Sequence, residues 1–357
     1  MNNREAIQSL LQQVRHTEES PLIADEEAIA AEYEKSHNDQ SLGIKILSIF
    51  GGLLASVLFL GALGITGLYD STEGLLLFGT LFIGGAILAS RLTDHIIVDT
   101  ASVSAYLLGL VLLGAGLGSV KFTEFTICTI ISLIAIGALC IVRDYIFSFI
   151  SVLIVHGCIS WLTMFKGAPG IAGMLYIALL SVILLLVYLK EAKLIADRTI
   201  LSLVYRPVRA GLLVAFLSGL AMLNTTKYSY LFPRISWLAS VVITGCIIWL
   251  IALLTKNLQL KPFYRIGIYI LCLIILAPTA LAPGIAGGLL VILLGFLVND
   301  KAAFVLGIVA FIYFVSRYYY DLNFTLLTKS ILLFSSGIVF LLLYLFTHKK
   351  LTAHEEV

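Results

Sequence analysis

Apolar residues along this chain come in long unbroken blocks rather than in alternation. A helix needs about 20 mostly apolar residues to cross a bilayer core, and from Leu42 onward about twelve blocks approach that length. Backbone N–H and C=O groups in lipid must be paired within the protein, which leaves helices or a closed barrel. A barrel shows segments of alternating polarity. These blocks are apolar on all sides, so the pattern predicts an all-α, polytopic integral membrane helical bundle. The expected spans are Leu42–Leu68, Leu75–Ser90, Ala101–Val120, Phe125–Val142, Ile146–Phe165, Gly170–Leu189, Ala210–Leu223, Ile235–Leu254, Ile266–Leu281, Gly284–Val298, Ala302–Tyr320 and Asn323–Phe346. Ala210–Leu223 and Gly284–Val298 are short; they extend into flanking segments or are partly re-entrant, and a count of about ten or eleven stays open.

Before the first block the pattern changes. Residues 1–41 are polar and acidic, with Ile7, Leu10, Leu11 and Val14 on one helical face and Pro21 ending that helix. A second helix over Asp25–Lys35 completes a short hairpin, expected to rest on the cytoplasmic face or to dock a partner. The N-terminus lacks the basic region, short apolar core and cleavage site of a secretory signal. Residues 42–347 form the expected transmembrane domain and 348–357 a cytoplasmic tail.

Composition agrees with the pattern: 60% of residues are hydrophobic and 12% charged. Charge adds an orientation. Lys and Arg collect on the cytoplasmic side of membrane proteins. With twelve spans and both termini inside, about 17 of the 23 basic residues fall in inner segments. The largest group is Lys190, Lys193, Arg198, Arg206 and Arg209, expected between spans six and seven.

One hexapeptide, APGIAG, occurs at Ala168–Gly173 and again at Ala282–Gly287. Pro169, Gly170, Pro283 and Gly284 are therefore expected at helix breaks or turns, since Pro starts a helix well and Gly bends freely. The copies follow spans five and nine, so they lie on the same side and would belong to parallel internal repeats. Chance recurrence of a Pro-Gly turn is the alternative.

The chemical inventory is sparse. Cys128, Cys140, Cys158, Cys246 and Cys272 fall within spans and form no C-x-x-C pair; buried thiols behave as small apolar groups. His156 is the one histidine inside a span, and a hydrogen bond to a neighbouring helix accounts for it better than a metal does. No phosphate-binding loop, zinc-protease motif or nucleophile elbow is present, and no cofactor or metal is expected. No basic run points to nucleic acid. Carboxylates sit at span ends, which lowers the case for a proton- or sodium-coupled carrier.

The last hairpin is less bland. It runs Arg317, Tyr318, Tyr319, Tyr320, Asp321 through Asn323 to Thr325, Lys329 and Ser330. Asp321 and Asn323 suit a turn and a helix N-cap. Lys329 falls nearly two turns inside span twelve, where its ammonium snorkels outward or finds a partner. The hairpin is either an aromatic belt at the outer interface or a polar cluster that holds a partner or ligand.

Those residues carry a resemblance. Pro283-Gly284, Leu294-Gly295-Phe296 with Asn299, Leu306-Gly307, then Tyr318-Tyr319-Tyr320-x-Leu322-x-x-Thr325-Leu326-Leu327-x-Lys329-Ser330 and Gly337 are similar to the C-terminal part of a bacterial membrane-protein family catalogued as domain of unknown function 4401. Asp99 and Arg206-Pro207 fit more loosely. Where that family has Trp-Tyr before its first span, this chain has Leu42-Gly43. The resemblance implies a multi-span protein of the bacterial inner membrane. It also implies a companion, a small membrane-anchored protein carrying a G-D-Y-x-x-L-x-Y motif. Two functions are expected on these grounds. The first is a non-enzymatic membrane subunit or scaffold that works with that companion among membrane lipids. The alternative is a transporter or flippase for an apolar or lipid-like substrate. An intramembrane enzyme working through His156, tyrosines and Lys329 is a third and weaker reading.

Overall fold

A computed structural model describes residues 71–92, 96–163, 171–191, 200–225, 237–257 and 282–321, with isolated positions elsewhere. The described residues contain α1 (Thr72–Leu92), α2 (Ile96–Ser119), α3 (Glu124–Ile141), α4 (Tyr145–Trp161), α5 (Ile171–Leu189), α6 (Ile200–Thr225), α7 (Trp237–Asn257), α8 (Pro283–Val298) and α9 (Lys301–Asp321). Seven of them are long and apolar enough to cross a bilayer; α4 and α8 are shorter apolar helices. The chain is a helical membrane protein. The nine correspond to nine of the expected spans. Leu42–Leu68, Ile266–Leu281 and Asn323–Phe346 fall largely outside the described residues, and residues 1–41 and 348–357 entirely so.

One boundary moves substantially. α6 begins at Ile200 rather than at Ala210, so Arg206, Pro207 and Arg209 lie within a helix and not in a loop. Pro207 lacks an N–H and removes one helical hydrogen bond, which makes the segment read as a break. The apolar side chains on either side nevertheless keep the helical face continuous: Tyr205, Leu212 and Phe216 are all buried.

Helix ends follow local chemistry. The Ser71 hydroxyl accepts from the Gly74 N–H at 3.1 Å and starts α1. Thr123 does the same for α3 at 3.3 Å, and Asp144 for α4 at 2.8 Å. Lys121 closes α2 in the left-handed conformation with φ 66°. Acidic Glu73 and basic Arg91 occupy the first and last turns of α1, each favourable for the helix dipole.

The chain divides into two compact units, Met1–Val111 and Leu112–Val357. In the first, Gly109 of α2 lies so close to α1 that a Cβ there would meet the Gly79 carbonyl at 2.9 Å. In the second, α5, α6, α7 and α8 share one core. Ile177, Leu184, Phe216, Ile243 and Leu290 at its centre are fully buried. α4 packs on α6, α3 on α4, and α9 on α8. The gradient is steep: 56% of the α5 span is buried but only 11% of the α3 span.

α8 and α9 are joined by a two-residue turn. Asn299 adopts the left-handed conformation with φ 56°, and the Asp300 N–H donates back to the Gly295 carbonyl at 2.9 Å, the bond of a Schellman closure. Behind the turn the helices approach backbone to backbone. A Cβ on Gly295 would lie 2.5 Å from the Phe304 nitrogen, and one on Gly307 2.8 Å from the Ile292 nitrogen. Small residues permit this approach, which compensates within lipid for the absent hydrophobic drive between helices.

Candidate functional site

The expected outer hairpin is described in its first half. Arg317, Tyr318, Tyr319 and Tyr320 form the last turns of α9, and Asp321 is its final residue. Tyr320 is 77% exposed and Arg317 is also exposed, whereas Tyr318 and Tyr319 are half-buried. The Tyr319 and Tyr320 rings meet edge to face, 5.8 Å between centroids. Thr325, Lys329 and Ser330 lie outside the described residues, as do Pro169, Gly170 and the Asp321 side chain. Pro283 occupies the start of α8. Gly284 follows inside that helix, buried, where a Cβ would lie 2.5 Å from the Phe314 ring.

His156 is half-buried on α4, and its Nδ1 shares a hydrogen bond with the Tyr176 hydroxyl of α5 at 2.8 Å. This is the cross-helix partner expected of an intramembrane histidine. At the end of the same helix the Trp161 indole donates to a Glu124 carboxylate oxygen of α3 at 3.1 Å.

Among the described residues, the densest polar cluster was not anticipated. Arg209, two residues past Pro207 on α6, donates through Nη1 to the Glu191 carboxylate just beyond α5 at 2.7 Å. Its Nη2 lies 3.0 Å from Oδ2 of Asp300 in the α8–α9 turn. The guanidinium also sits over two rings, 5.3 Å from the Tyr188 centroid and 5.6 Å from that of Tyr205, within the range of cation–π attraction. Both rings are buried. The Tyr205 hydroxyl in turn donates to the Val187 carbonyl in the last turn of α5 at 3.1 Å.

Asp300 serves two helices at once. Its Oδ1 accepts from the Ala302 and Ala303 N–H groups at 3.1 and 3.2 Å, capping α9. Its other oxygen holds Arg209. The planar fork of arginine suits such divided pairing, which a lysine point charge would not reproduce. The cluster thus fastens the ends of α5 and α8, the start of α9 and the proline-bearing part of α6 at one level.

The sequence held a partial signal for this site. Arg209 borders an apolar run, and Glu191 and Asp300 both fall in segments that the span alternation assigns to the same side of the membrane. Charge complementarity on one side narrows the partners, but only the packing of α5, α6 and α8 selects them.

No curated protein and no solved structure matches the chain. A family model does match over residues 41–350. This range includes all nine described helices, the Arg209 cluster and the aromatic hairpin, and it agrees with the resemblance carried by the tyrosine run and the Thr325–Ser330 stretch. The chain belongs to the family described as Domain of unknown function (DUF4401).

Proposed function

We propose that this chain is a non-enzymatic integral membrane subunit whose outer hairpin, Arg317 to Ser330, holds a small membrane-anchored protein. The supporting observation is the exposure of an arginine and a tyrosine on the last turns of α9, beside internal polar contacts that tie helices of the chain together. Arg209 pairs with Glu191 and Asp300, His156 with Tyr176, and Trp161 with Glu124, each across helices of the same chain. Arg317 and Tyr320 are exposed on the final turns of α9. Tyrosine and arginine are the residue types that most often dominate binding energy at interfaces. The companion suits the site chemically: its tyrosine-bearing G-D-Y-x-x-L-x-Y motif offers a carboxylate for Arg317 or Lys329 and rings for the tyrosine run.

The experiment is a pull-down of tagged full-length protein, gently extracted from native membranes, with proteins and lipids identified by mass spectrometry. A stoichiometric small membrane protein is expected. Tyr320→Ala or Lys329→Ala is expected to weaken its recovery about tenfold or more, the effect of losing a moderate hot spot. Recovery of the chain alone with an enriched lipid would overturn this reading in favour of transport.

A further inference from the structure

The Arg209 tie is ringed by three exposed cations. Glu191 and Asp300 meet at one guanidinium, 2.7 and 3.0 Å from its nitrogens. Each has a lysine as its chain neighbour, Lys190 before Glu191 and Lys301 after Asp300. Adjacent Cα atoms are about 3.8 Å apart, so both lysines are rooted beside that guanidinium. Arg206 stands three residues before Arg209, one turn closer to the start of α6. All three are exposed, and none pairs with a carboxylate among the described residues. They share a level as well. Lys190 follows the last residue of α5, Arg206 is at the start of the apolar span Val204–Leu223, and Lys301 opens α9. That level is the edge of the hydrocarbon, where long basic side chains reach for headgroups. Charge there is unbalanced. Four cations, Lys190, Arg206, Arg209 and Lys301, stand against two carboxylates, Glu191 and Asp300, and both of these are committed to Arg209. Beside the patch runs an apolar strip. Val305, Ile308 and Ile312 follow Lys301 at four, seven and eleven residues, one stripe of α9, and all three are exposed.

We propose that Lys190, Arg206 and Lys301 bind the headgroup of an anionic phospholipid, whose acyl chains lie along the Val305–Ile312 strip of α9. The phosphate accepts hydrogen bonds from the Arg206 fork and the two ammonium groups. Basic pockets between membrane helices take such headgroups, and the distribution of basic residues is expected to turn this end of the bundle toward the cytoplasm. Arg209 is a positioning residue here. By engaging Glu191 and Asp300 it keeps both carboxylates off the lysines and fixes the end of α5 and the start of α9 around the phosphate. The apolar strip is what favours a lipid over a free phosphate ion. The site stands at the opposite end of α9 from Arg317 and Tyr320 and does not rest on the companion protein.

The test uses the full-length protein, purified in a neutral detergent and stripped of lipid. Its thermal unfolding is followed while cardiolipin, phosphatidylglycerol, phosphatidylcholine or inorganic phosphate is added. The two anionic lipids are expected to raise the melting temperature saturably, and phosphatidylcholine and inorganic phosphate to leave it unchanged. Each of Lys190→Gln, Arg206→Gln and Lys301→Gln is expected to raise the half-saturating lipid concentration about fivefold, the size of one basic residue's attraction to an anionic surface. The charge-conserving Lys190→Arg and Lys301→Arg are expected to keep wild-type affinity. So is Lys121→Gln, which removes an exposed cation from the α2–α3 connection. An equal response to phosphatidylcholine would overturn the proposal by reducing it to apolar solvation, and an equal response to inorganic phosphate by removing the lipid. Anionic-lipid affinity that survives all three Gln substitutions, or that Lys121→Gln lowers as much as they do, would overturn it too.

Discussion

Arg209 divides its guanidinium between two carboxylates, so removing it leaves both Glu191 and Asp300 without their shared cation. The three side chains retain 16–25% of their exposure, which places them between two regimes. Exposed ion pairs contribute about 0–1 kcal/mol, and breaking a buried one costs about 3–5 kcal/mol. Arg209→Ala should therefore lower stability by about 2 kcal/mol, with loss of the stacking on Tyr188 and Tyr205 included. Arg209→Lys keeps the charge but not the fork and should recover part of that loss. Asp300→Asn retains an oxygen to cap α9 and should be milder than Asp300→Ala, which removes cap and ion pair together. Thermal unfolding in detergent, followed for all four variants, checks the order; equal effects of Asp300→Asn and Asp300→Ala would remove the capping role.

At the scale of the helix, the same residue type is predicted to behave oppositely at two positions. Gly295 has the Phe304 backbone where a Cβ would go, at 2.5 Å, whereas nothing lies within 4 Å of the corresponding place on Gly84 of α1. Gly295→Ala should force α8 and α9 apart and destabilise by about 1–3 kcal/mol. Gly84→Ala should be neutral or stabilise by up to about 1 kcal/mol, because it removes backbone freedom and adds no clash. Melting temperatures of the two variants test the contrast directly. The helices themselves were largely legible in the sequence, since block length and uniform apolarity suffice for α1 to α5. α6 was not, because Pro207 and two arginines read locally as a break, and the burial that overrides them comes from residues remote in sequence. The Arg209 cluster was hidden for the same reason. The α9 tyrosines were visible as an unusual local run, but exposure of Tyr320 beside half-buried Tyr319 follows only from the seating of α9.

For the molecule as a whole, the alternation of spans makes a prediction about sidedness. The α2–α3 connection, with exposed Phe122, and the α8–α9 turn, with exposed Lys301, fall on opposite sides if both termini are cytoplasmic. A membrane-impermeant thiol reagent applied to intact cells should label Phe122→Cys and spare Lys301→Cys until the membrane is breached. The reverse pattern would invert the orientation, and labelling of both from outside would break the span count. Within the larger unit, Asp300 gives this geometry a mechanical side. One of its oxygens holds the first turn of α9 and the other holds Arg209. A force that drags the guanidinium aside therefore also tugs on the end of a rod. α9 has 21 residues and so runs for about 30 Å at 1.5 Å per residue, and its far tip carries Arg317 and Tyr320. The Arg209 cluster and the Arg317–Tyr320 turn thus stand at opposite ends of one continuous helix.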